Sequence, residues 1–177
     1  IESVFFFFLP HMHFEIAFTA FERGKNVLIE KPPCSTYEEL ASLQAMSAQS
    51  GCVFDVTFNN AAREDNAWLA EAVQRGRIGA VELIEPEWFR TKPRPDKAWA
   101  NYPQTAGGGG ILADLGSHLL RIGISLIPQA RRCVAYCATT RHHSSGHAQV
   151  EDIACANILV DEAVQIVLKV GWGMPMN

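Results

Sequence analysis

The stretch Gly107-Gly108-Gly109-Gly110-Ile111-Leu112-Ala113-Asp114-Leu115-Gly116-Ser117-His118 decides how this chain folds. Glycines let a backbone turn sharply and approach a ligand without clashes from a Cβ atom. The residues after the glycines predict a helix, because apolar side chains recur there at helical spacing. This apolar stripe consists of Leu112, Leu115, Leu119, Ile122 and Leu126.

A second face of the predicted helix carries polar groups. Asp114 and His118 are four residues apart, so they lie one above the other, and Arg121 shares their face. A carboxylate and an imidazole one turn apart, just beyond a glycine turn, predict a proton-transfer pair. A structural explanation stays open for each residue. The helix dipole alone favours an aspartate in a first turn, and a histidine in a helix is often a satisfied structural group.

The composition is that of a globular protein. Of the 177 residues, 48% are hydrophobic and 19% are charged, which is enough apolar material to fill a core. The net charge of −4 provides no basic surface for nucleic acid. The Phe-rich segment 4–9 is too short to span a bilayer. Five loosely spaced cysteines predict reduced thiols in a cytoplasmic protein.

The first part of the chain predicts a strand–helix–strand unit. Residues 4–8 predict a buried strand, residues 14–21 carry a helical apolar stripe, and residues 26–30 predict a second strand parallel to the first. Ligands of open parallel sheets bind at the carboxyl ends of the strands. Four side chains with polar chemistry fall at such ends: His11, His13, Glu30 and Lys31.

The alternation of strands and helices changes after residue 58. Before this point, Thr36-Tyr37-Glu38-Glu39 predicts a capped helix that runs to Ser50. The remaining predicted elements are a strand at 52–58, a helix at 63–75, a strand at 80–90, the helix after the glycines, and strands at 133–140, 150–160 and 163–172. Asp161-Glu162 predicts a tight hairpin. We therefore expect two domains, 1–58 and 59–177, the second with a large, mostly antiparallel sheet that fits a homo-oligomer.

Five motifs occur in order along the chain. They are Pro10-His11-Met12-His13, Gly24-Lys25-Asn26-Val27-Leu28-Ile29-Glu30-Lys31-Pro32, Arg63, Gly76-Arg77-Ile78-Gly79 and Gly108-Gly109-Gly110-Ile111-Leu112-Ala113-Asp114-Leu115-Gly116-Ser117-His118. Each motif alone is weak, but the ordered set covers essentially the whole chain. In this set the chain resembles the Gfo/Idh/MocA family of sugar and polyol oxidoreductases.

The resemblance implies an α/β fold in two parts. The first is the C-terminal portion of a Rossmann domain that binds NAD or NADP, and the second is an α+β domain that holds the substrate and the oligomer interface. It implies catalysis by Lys31, Asp114 and His118, with a sugar, a polyol or a related hydroxy compound as substrate. In that mechanism His118 takes the hydroxyl proton while a hydride leaves the same carbon for the nicotinamide. Independently of the family, alcohol oxidation needs such a base and a cation beside it.

The resemblance also implies binding residues. The cofactor-binding positions are Pro10, His13, Glu30 and Lys31. The substrate-binding positions are Lys31, Trp99, Asp114, His118 and Arg121. For Trp99, packing inside its own loop explains the residue equally well.

Three features depart from the family's pattern. No Gly-x-Gly-x-x-Gly fingerprint follows a strand; in the family it lies upstream of Ile1, so we expect a fragment without the pyrophosphate site. Phe8-Leu9 stands where the family has Thr-Pro, and the bulk of Phe8 is expected to crowd the cofactor. Arg121 stands where the family commonly carries Asp, which favours an anionic substrate group or marks an inactive copy.

Two other functions stay open. Some relatives keep the fold and the ligand pocket but act as sensors or repressor partners, and Phe8 and Arg121 favour that function. Metal binding by three histidines and a cysteine pair is disfavoured, because strong zinc sites show tighter paired spacing. The residues concerned are His142, His143, His147, Cys133 and Cys137. A polar loop explains these histidines better, and no metal site is expected.

Overall fold

The computed structural model describes residues 1–92, 109–127, 129–141 and 150–174, with the backbone alone for 135–141. The strands of the described residues form a three-stranded and a five-stranded sheet. The boundary expected after residue 58 falls between the last strand of the first sheet and the helix that follows it. No helix among the described residues is both long and apolar enough to cross a membrane.

The first sheet is parallel because helical segments connect its strands. Its elements are β1 (Ser3–Phe6), a 3-10 turn (Pro10–Met12), α1 (His13–Glu22), β2 (Asn26–Glu30), α2 (Tyr37–Ser50) and β3 (Phe54–Thr57). The strand order is β1-β2-β3, and both neighbouring pairs are parallel, which confirms the predicted parallel strand–helix–strand unit. Val27 and Ile29 of β2 share a buried core with Ala17 and Phe21 of α1.

The capping box predicted at the start of α2 is confirmed. Thr36 Oγ1 accepts a hydrogen bond from the Glu39 amide at 3.2 Å, and Glu39 Oε2 accepts one from the Thr36 amide at 3.4 Å. Gly51 ends the helix in the left-handed region, with a φ of 69°. The boundaries of α2 were therefore readable from the sequence.

The prediction that residues 4–8 form a buried strand is wrong in its extent and its burial. The strand ends at Phe6, and the side chains of Phe5, Phe7 and Phe8 are 61%, 68% and 55% exposed. The reason is position: within the described residues β1 pairs with β2 alone and lies at the edge of the sheet, where it packs Phe6 and the partly buried Val4 against the core. A run of apolar residues does not distinguish an edge strand from a central one.

The second sheet is mixed. The elements of this part of the chain are α3 (Glu64–Gln74), β4 (Leu83–Ile84), β5 (Glu87–Phe89), α4 (Ser117–Ser125), β6 (Cys133–Arg141), β7 (Ile153–Val160) and β8 (Val164–Gly171). The strand order is β4-β8-β7-β6, and β5 also pairs with β8. The pairs β6–β7 and β7–β8 are antiparallel. Asp161 and Glu162 form the predicted hairpin turn with φ values of 50° and 59°.

The single long strand predicted for residues 80–90 is wrong. The structure has two short strands there, β4 and β5, separated by Glu85 and Pro86. A proline has no amide hydrogen and cannot donate to a strand ladder, so the strand is interrupted. Both pieces pair parallel to β8, and the Pro86 carbonyl accepts a hydrogen bond from the Lys169 amide at 3.1 Å.

The helix after the glycines begins with a π-helical turn, Leu112–Gly116, which continues directly into α4. The uniform α-helical spacing assumed from the sequence is therefore wrong over this first turn. Single π-helical turns occur frequently at functional sites. Ile111, Leu115 and Leu119 pack against the sheet in one buried core, with Ala154 and Ala156 of β7 and Leu168 and Val170 of β8.

Candidate active site

Lys31 and Asp114 connect the two sheets. Lys31 directly follows β2, and Asp114 lies in the π-helical turn before α4. The Lys31 ammonium donates to Asp114 Oδ1 at 2.7 Å and to the Asp114 carbonyl oxygen at 2.8 Å. The Lys31 side chain is only 15% exposed, against 37% for Asp114. The ion pair therefore leaves the carboxylate partly open to solvent while the ammonium is largely buried.

His118 lies beside this pair and contacts both halves of the chain. Its ring meets the Phe58 ring edge-on with centroids 5.9 Å apart, and the Trp88 ring at 6.2 Å. The residue is 6% exposed. Its Nδ1 atom is buried and has no hydrogen-bond partner among the described residues. A buried nitrogen of this kind is costly unless a ligand or water satisfies it.

The environment keeps the His118 imidazole neutral. Burial lowers its pKa from the ordinary value of 6.5, and the nearby Lys31 charge lowers it further, against smaller opposite effects of Asp114 and Glu30. A neutral imidazole can accept a proton at physiological pH. The arrangement therefore provides a base next to a buried cation.

The residues predicted to bind a cofactor lie at the carboxyl ends of β1 and β2. Pro10 begins the 3-10 turn after β1, and Glu30 ends β2, where its Oε2 atom accepts from the Lys31 amide at 3.1 Å. His13 is fully buried, with Nδ1 at 2.9 Å from the Pro32 carbonyl oxygen and Nε2 at 3.0 Å from the Phe8 carbonyl oxygen. Both ring nitrogens of His13 thus contact the main chain, and its contact with a cofactor stays a prediction.

The remaining predicted residues are not all placed at this site. Arg121 lies on α4 with an exposed side chain, and Trp99 is outside the described residues. His142, His143 and His147 also lie outside the described residues. Within the described residues, no group of three or more potential metal ligands is close enough to hold an ion.

A separate apolar cavity of about 710 Å³ lies on another flank of the helix. Leu112 and Leu120 line one side, and Ala156, Ile158 and Leu168 of the second sheet line the other. Lys31, Asp114 and His118 do not line it. This cavity and the polar cluster are therefore distinct features of the fold.

Three residues that shape the site could not be recognised from the sequence. Phe58 and Trp88 enclose His118, and Glu151 binds the start of the helix through the amides of Gly110 and Leu112. Nothing in the pattern around Glu151 distinguishes it from an ordinary charged residue before a strand. Only the tertiary structure brings residues so distant in sequence together.

Two family models match the chain. Residues 1–58 match the model described as "Oxidoreductase family, NAD-binding Rossmann fold", and residues 67–177 match the GFO/IDH/MocA C-terminal domain. The chain belongs to the Gfo/Idh/MocA oxidoreductase family. This membership confirms the resemblance seen in the sequence, together with the Rossmann-type α/β fold of the first part.

Members of the Gfo/Idh/MocA family resemble the chain over part of their length. An uncharacterized oxidoreductase of Synechocystis is 35% identical over 112 residues, which is 62% of this chain and 30% of that protein. The scyllo-inositol 2-dehydrogenase (NADP(+)) of Bacillus subtilis is 24% identical over 75% of the chain and 37% of its own length. GenD2 from gentamicin A biosynthesis, solved in complex with NAD, superposes with a TM-score of 0.88 at 25% identity, over 100% of this chain and 50% of GenD2. The chain thus spans half of GenD2, and its matches span about a third of the two curated relatives.

Proposed function

We propose that the protein containing this chain is an NAD(P)-dependent dehydrogenase that transfers a hydride between a nicotinamide cofactor and a sugar, a polyol or a related hydroxy compound. One observation carries the proposal: Lys31, after a strand of the first sheet, pairs with Asp114 on the helix that packs on the second sheet, and its charge acts on His118 one turn further along that helix. The related scyllo-inositol dehydrogenase and the NAD complex of GenD2 support the substrate class and the cofactor. We further propose residues 1–58 as the cofactor domain and 59–177 as the substrate domain.

The residues at the carboxyl ends of β1 and β2 fit the nicotinamide end of such a cofactor. Parallel sheets bind nucleotides at this edge, and Pro10, Glu30 and Lys31 lie there. Among the described residues the buried Nδ1 atom of His118 has no hydrogen-bond partner, so it can bind a polar group of a ligand. A nicotinamide cofactor supplies the hydride acceptor, because no side chain can perform that step.

In this function His118 is the base. Its lowered pKa keeps the imidazole neutral, so it can take the proton of a substrate hydroxyl. An ammonium carries three donor hydrogens, and Lys31 uses two on Asp114. The third hydrogen is available to a substrate oxygen, where the charge stabilises a developing alkoxide. Asp114 orients the ammonium and accepts a hydrogen bond from a second hydroxyl.

Turnover by the complete protein tests the proposal. We expect His118→Asn to abolish NAD(P)H formation from sugars and polyols, while Lys25→Ala, in the turn after α1, leaves the rate unchanged. Retained turnover in His118→Asn would show that another group is the base.

The alternative is a ligand-sensing protein. Phe8 and Arg121 favour it, since both depart from the family's pattern and both are exposed. Saturable binding of a sugar or polyol to the complete protein, without any turnover in the presence of NAD or NADP, would establish this function instead.

We also propose that the second sheet forms a homo-oligomer. Cys155, Asn157 and Gln165 point away from the core of this sheet and are exposed. Light scattering on the complete protein should give more than one protomer per particle, and Gln165→Arg should shift the mass towards the monomer.

A cytoplasmic location is part of the proposal. The free thiols of Cys34 and Cys52, which form no disulfide, fit that location.

A further inference from the structure

Glu151 binds the start of the helix that carries the candidate catalytic residues. Its Oε2 atom accepts a hydrogen bond from the Gly110 amide and its Oε1 atom one from the Leu112 amide, each at 2.9 Å. Its carbonyl oxygen accepts a third bond from the Ile111 amide at 3.1 Å. Three consecutive amides of the helix start are therefore held by one residue.

This contact requires glycine at position 110. A Cβ atom there would lie 2.2 Å from the Glu151 carbonyl oxygen and 2.9 Å from its amide nitrogen. The backbones of the two segments thus approach more closely than any side chain allows. The glycine serves to seat the helix against the segment that leads into β7.

The carboxylate of Glu151 suits the place that it occupies. The first amides of a helix have no partner inside the helix, and their partial positive charge favours an anion. Hydrogen bonds to an ionised carboxylate are stronger than those between neutral groups. Glu151 therefore fixes the direction in which the helix leaves the sheet.

The anchor at Glu151 controls the position of Asp114 more strongly than it controls the position of His118. Asp114 lies two residues beyond the anchored Leu112 amide, and its own amide bonds the Gly110 carbonyl oxygen at 2.9 Å. His118 lies one turn later, where the rings of Phe58 and Trp88 hold it. A loosened helix start would therefore displace the carboxylate that orients Lys31 and leave the imidazole in place.

We propose that Glu151 is a positioning residue, which acts through the helix start to hold Asp114 against Lys31. This inference rests on the proposed dehydrogenase function for its effect on turnover, but the anchor itself is independent of that function. Glu151 touches neither of the two residues, so its role is indirect.

Glu151→Gln and Glu151→Asp in the complete protein test the proposal. The amide of glutamine has one acceptor oxygen, so one of the two side-chain bonds is lost. In Glu151→Gln we expect hydrogen exchange of the Gly110 and Leu112 amides to accelerate about tenfold or more, which corresponds to losing one bond to a charged group. Exchange at Leu119 should stay unchanged. Glu151→Asp keeps both acceptors and should restore slow exchange in part.

Turnover separates positioning from a purely structural role. We expect Glu151→Gln to lower kcat about tenfold with the thermal midpoint of unfolding shifted little, and Glu151→Asp to recover part of kcat. Glu22→Gln, an exposed change on α1, is the matched control. Unchanged exchange at Gly110 and Leu112, or accelerated exchange with an unchanged kcat in an active enzyme, would overturn the proposal. If the unsubstituted protein has no dehydrogenase activity and Glu151→Gln still accelerates exchange, the proposed dehydrogenase function is refuted. The anchoring of the helix start by Glu151 is then still supported.

Discussion

The Lys31 ammonium and the Asp114 carboxylate lie 2.7 Å apart, although 83 residues separate them in the sequence. Lys31 follows a strand of the first sheet, and Asp114 lies in the first turn of the helix that packs on the second. The pair can form only when both sheets are folded and in contact. The site is therefore assembled by tertiary structure, and its integrity reports on the contact between the two parts of the chain.

Removing the ammonium should affect activity far more than stability. Lys31→Met deletes the charge and keeps the apolar stem, so we expect kcat/KM to fall about a hundredfold or more, as for loss of a group that stabilises an oxyanion. The free energy of unfolding should fall by only about 1 kcal/mol, because Asp114 is more than a third exposed and solvent screens the pair. Steady-state kinetics and urea unfolding measure the two effects. Equal turnover in Lys31→Met and Lys25→Ala would contradict the assigned role.

The lowered pKa of His118 predicts the pH dependence of both activity and stability. The neutral imidazole is the base, so kcat/KM should fall with decreasing pH only below the ordinary value of 6.5. The unfolded chain takes up the proton at the ordinary pKa, before the folded chain does. The contribution of His118 to stability is therefore complete above pH 6.5 and is lost as the pH falls towards the folded-state value. An NMR titration of the His118 ring gives that value directly, and a pKa above 6.5 would refute the prediction.

The sequence predicted the local structure around the site better than the site itself. The cap of α2, the hairpin at Asp161-Glu162 and the helix after the glycines follow from short-range chemistry, and all were readable. The break at Pro86 follows from the missing amide hydrogen of proline, a local signal that the strand prediction overlooked. Burial of the Phe-rich strand depends on which strands lie next to β1, which no local pattern contains. Asp114 and His118 were singled out by their helical spacing and Lys31 by its place at a strand end, and the family resemblance added their catalytic roles, but the ring contacts of His118 and the anchor at Glu151 were not predicted.

Two neighbouring glycines should respond differently to the same substitution. Gly110→Ala places a Cβ atom 2.2 Å from the Glu151 carbonyl oxygen, and a backbone atom cannot move aside cheaply. We expect it to lower the free energy of unfolding by about 2 kcal/mol or more. Gly109→Ala is the control, because its Cβ atom would meet its nearest neighbours at 3.5 Å, an ordinary contact, and should change stability by less than about 0.5 kcal/mol. Equal unfolding midpoints for the two variants would contradict the close approach at Gly110.

Cys34 should be inert although it lies three residues beyond Lys31. Burial raises the pKa of its thiol to about 12, and the Glu39 carboxylate adds to the rise. The thiolate is the reactive form, so iodoacetamide should modify the exposed Cys133 well before Cys34 in the folded protein. Peptide mapping after timed labelling measures the order, and labelling in urea is the control in which both react. Early modification of Cys34 would show that the segment after Lys31 opens in solution.

His13 should prove essential for the shape of the cofactor edge. Its buried ring lies between the Phe8 and Pro32 carbonyl oxygens, which belong to the segments that follow β1 and β2. His13→Ala removes both contacts and leaves a cavity, so we expect the free energy of unfolding to fall by about 2–4 kcal/mol. His11→Ala, an exposed change two residues earlier, should be neutral in the same urea titration.

Fluorescence titration with NADH then separates two roles of His13. If His13 acts only through these segments, His13→Ala should weaken NADH binding without abolishing it. If only His13→Ala abolishes binding while it stays folded, the ring itself contacts the cofactor.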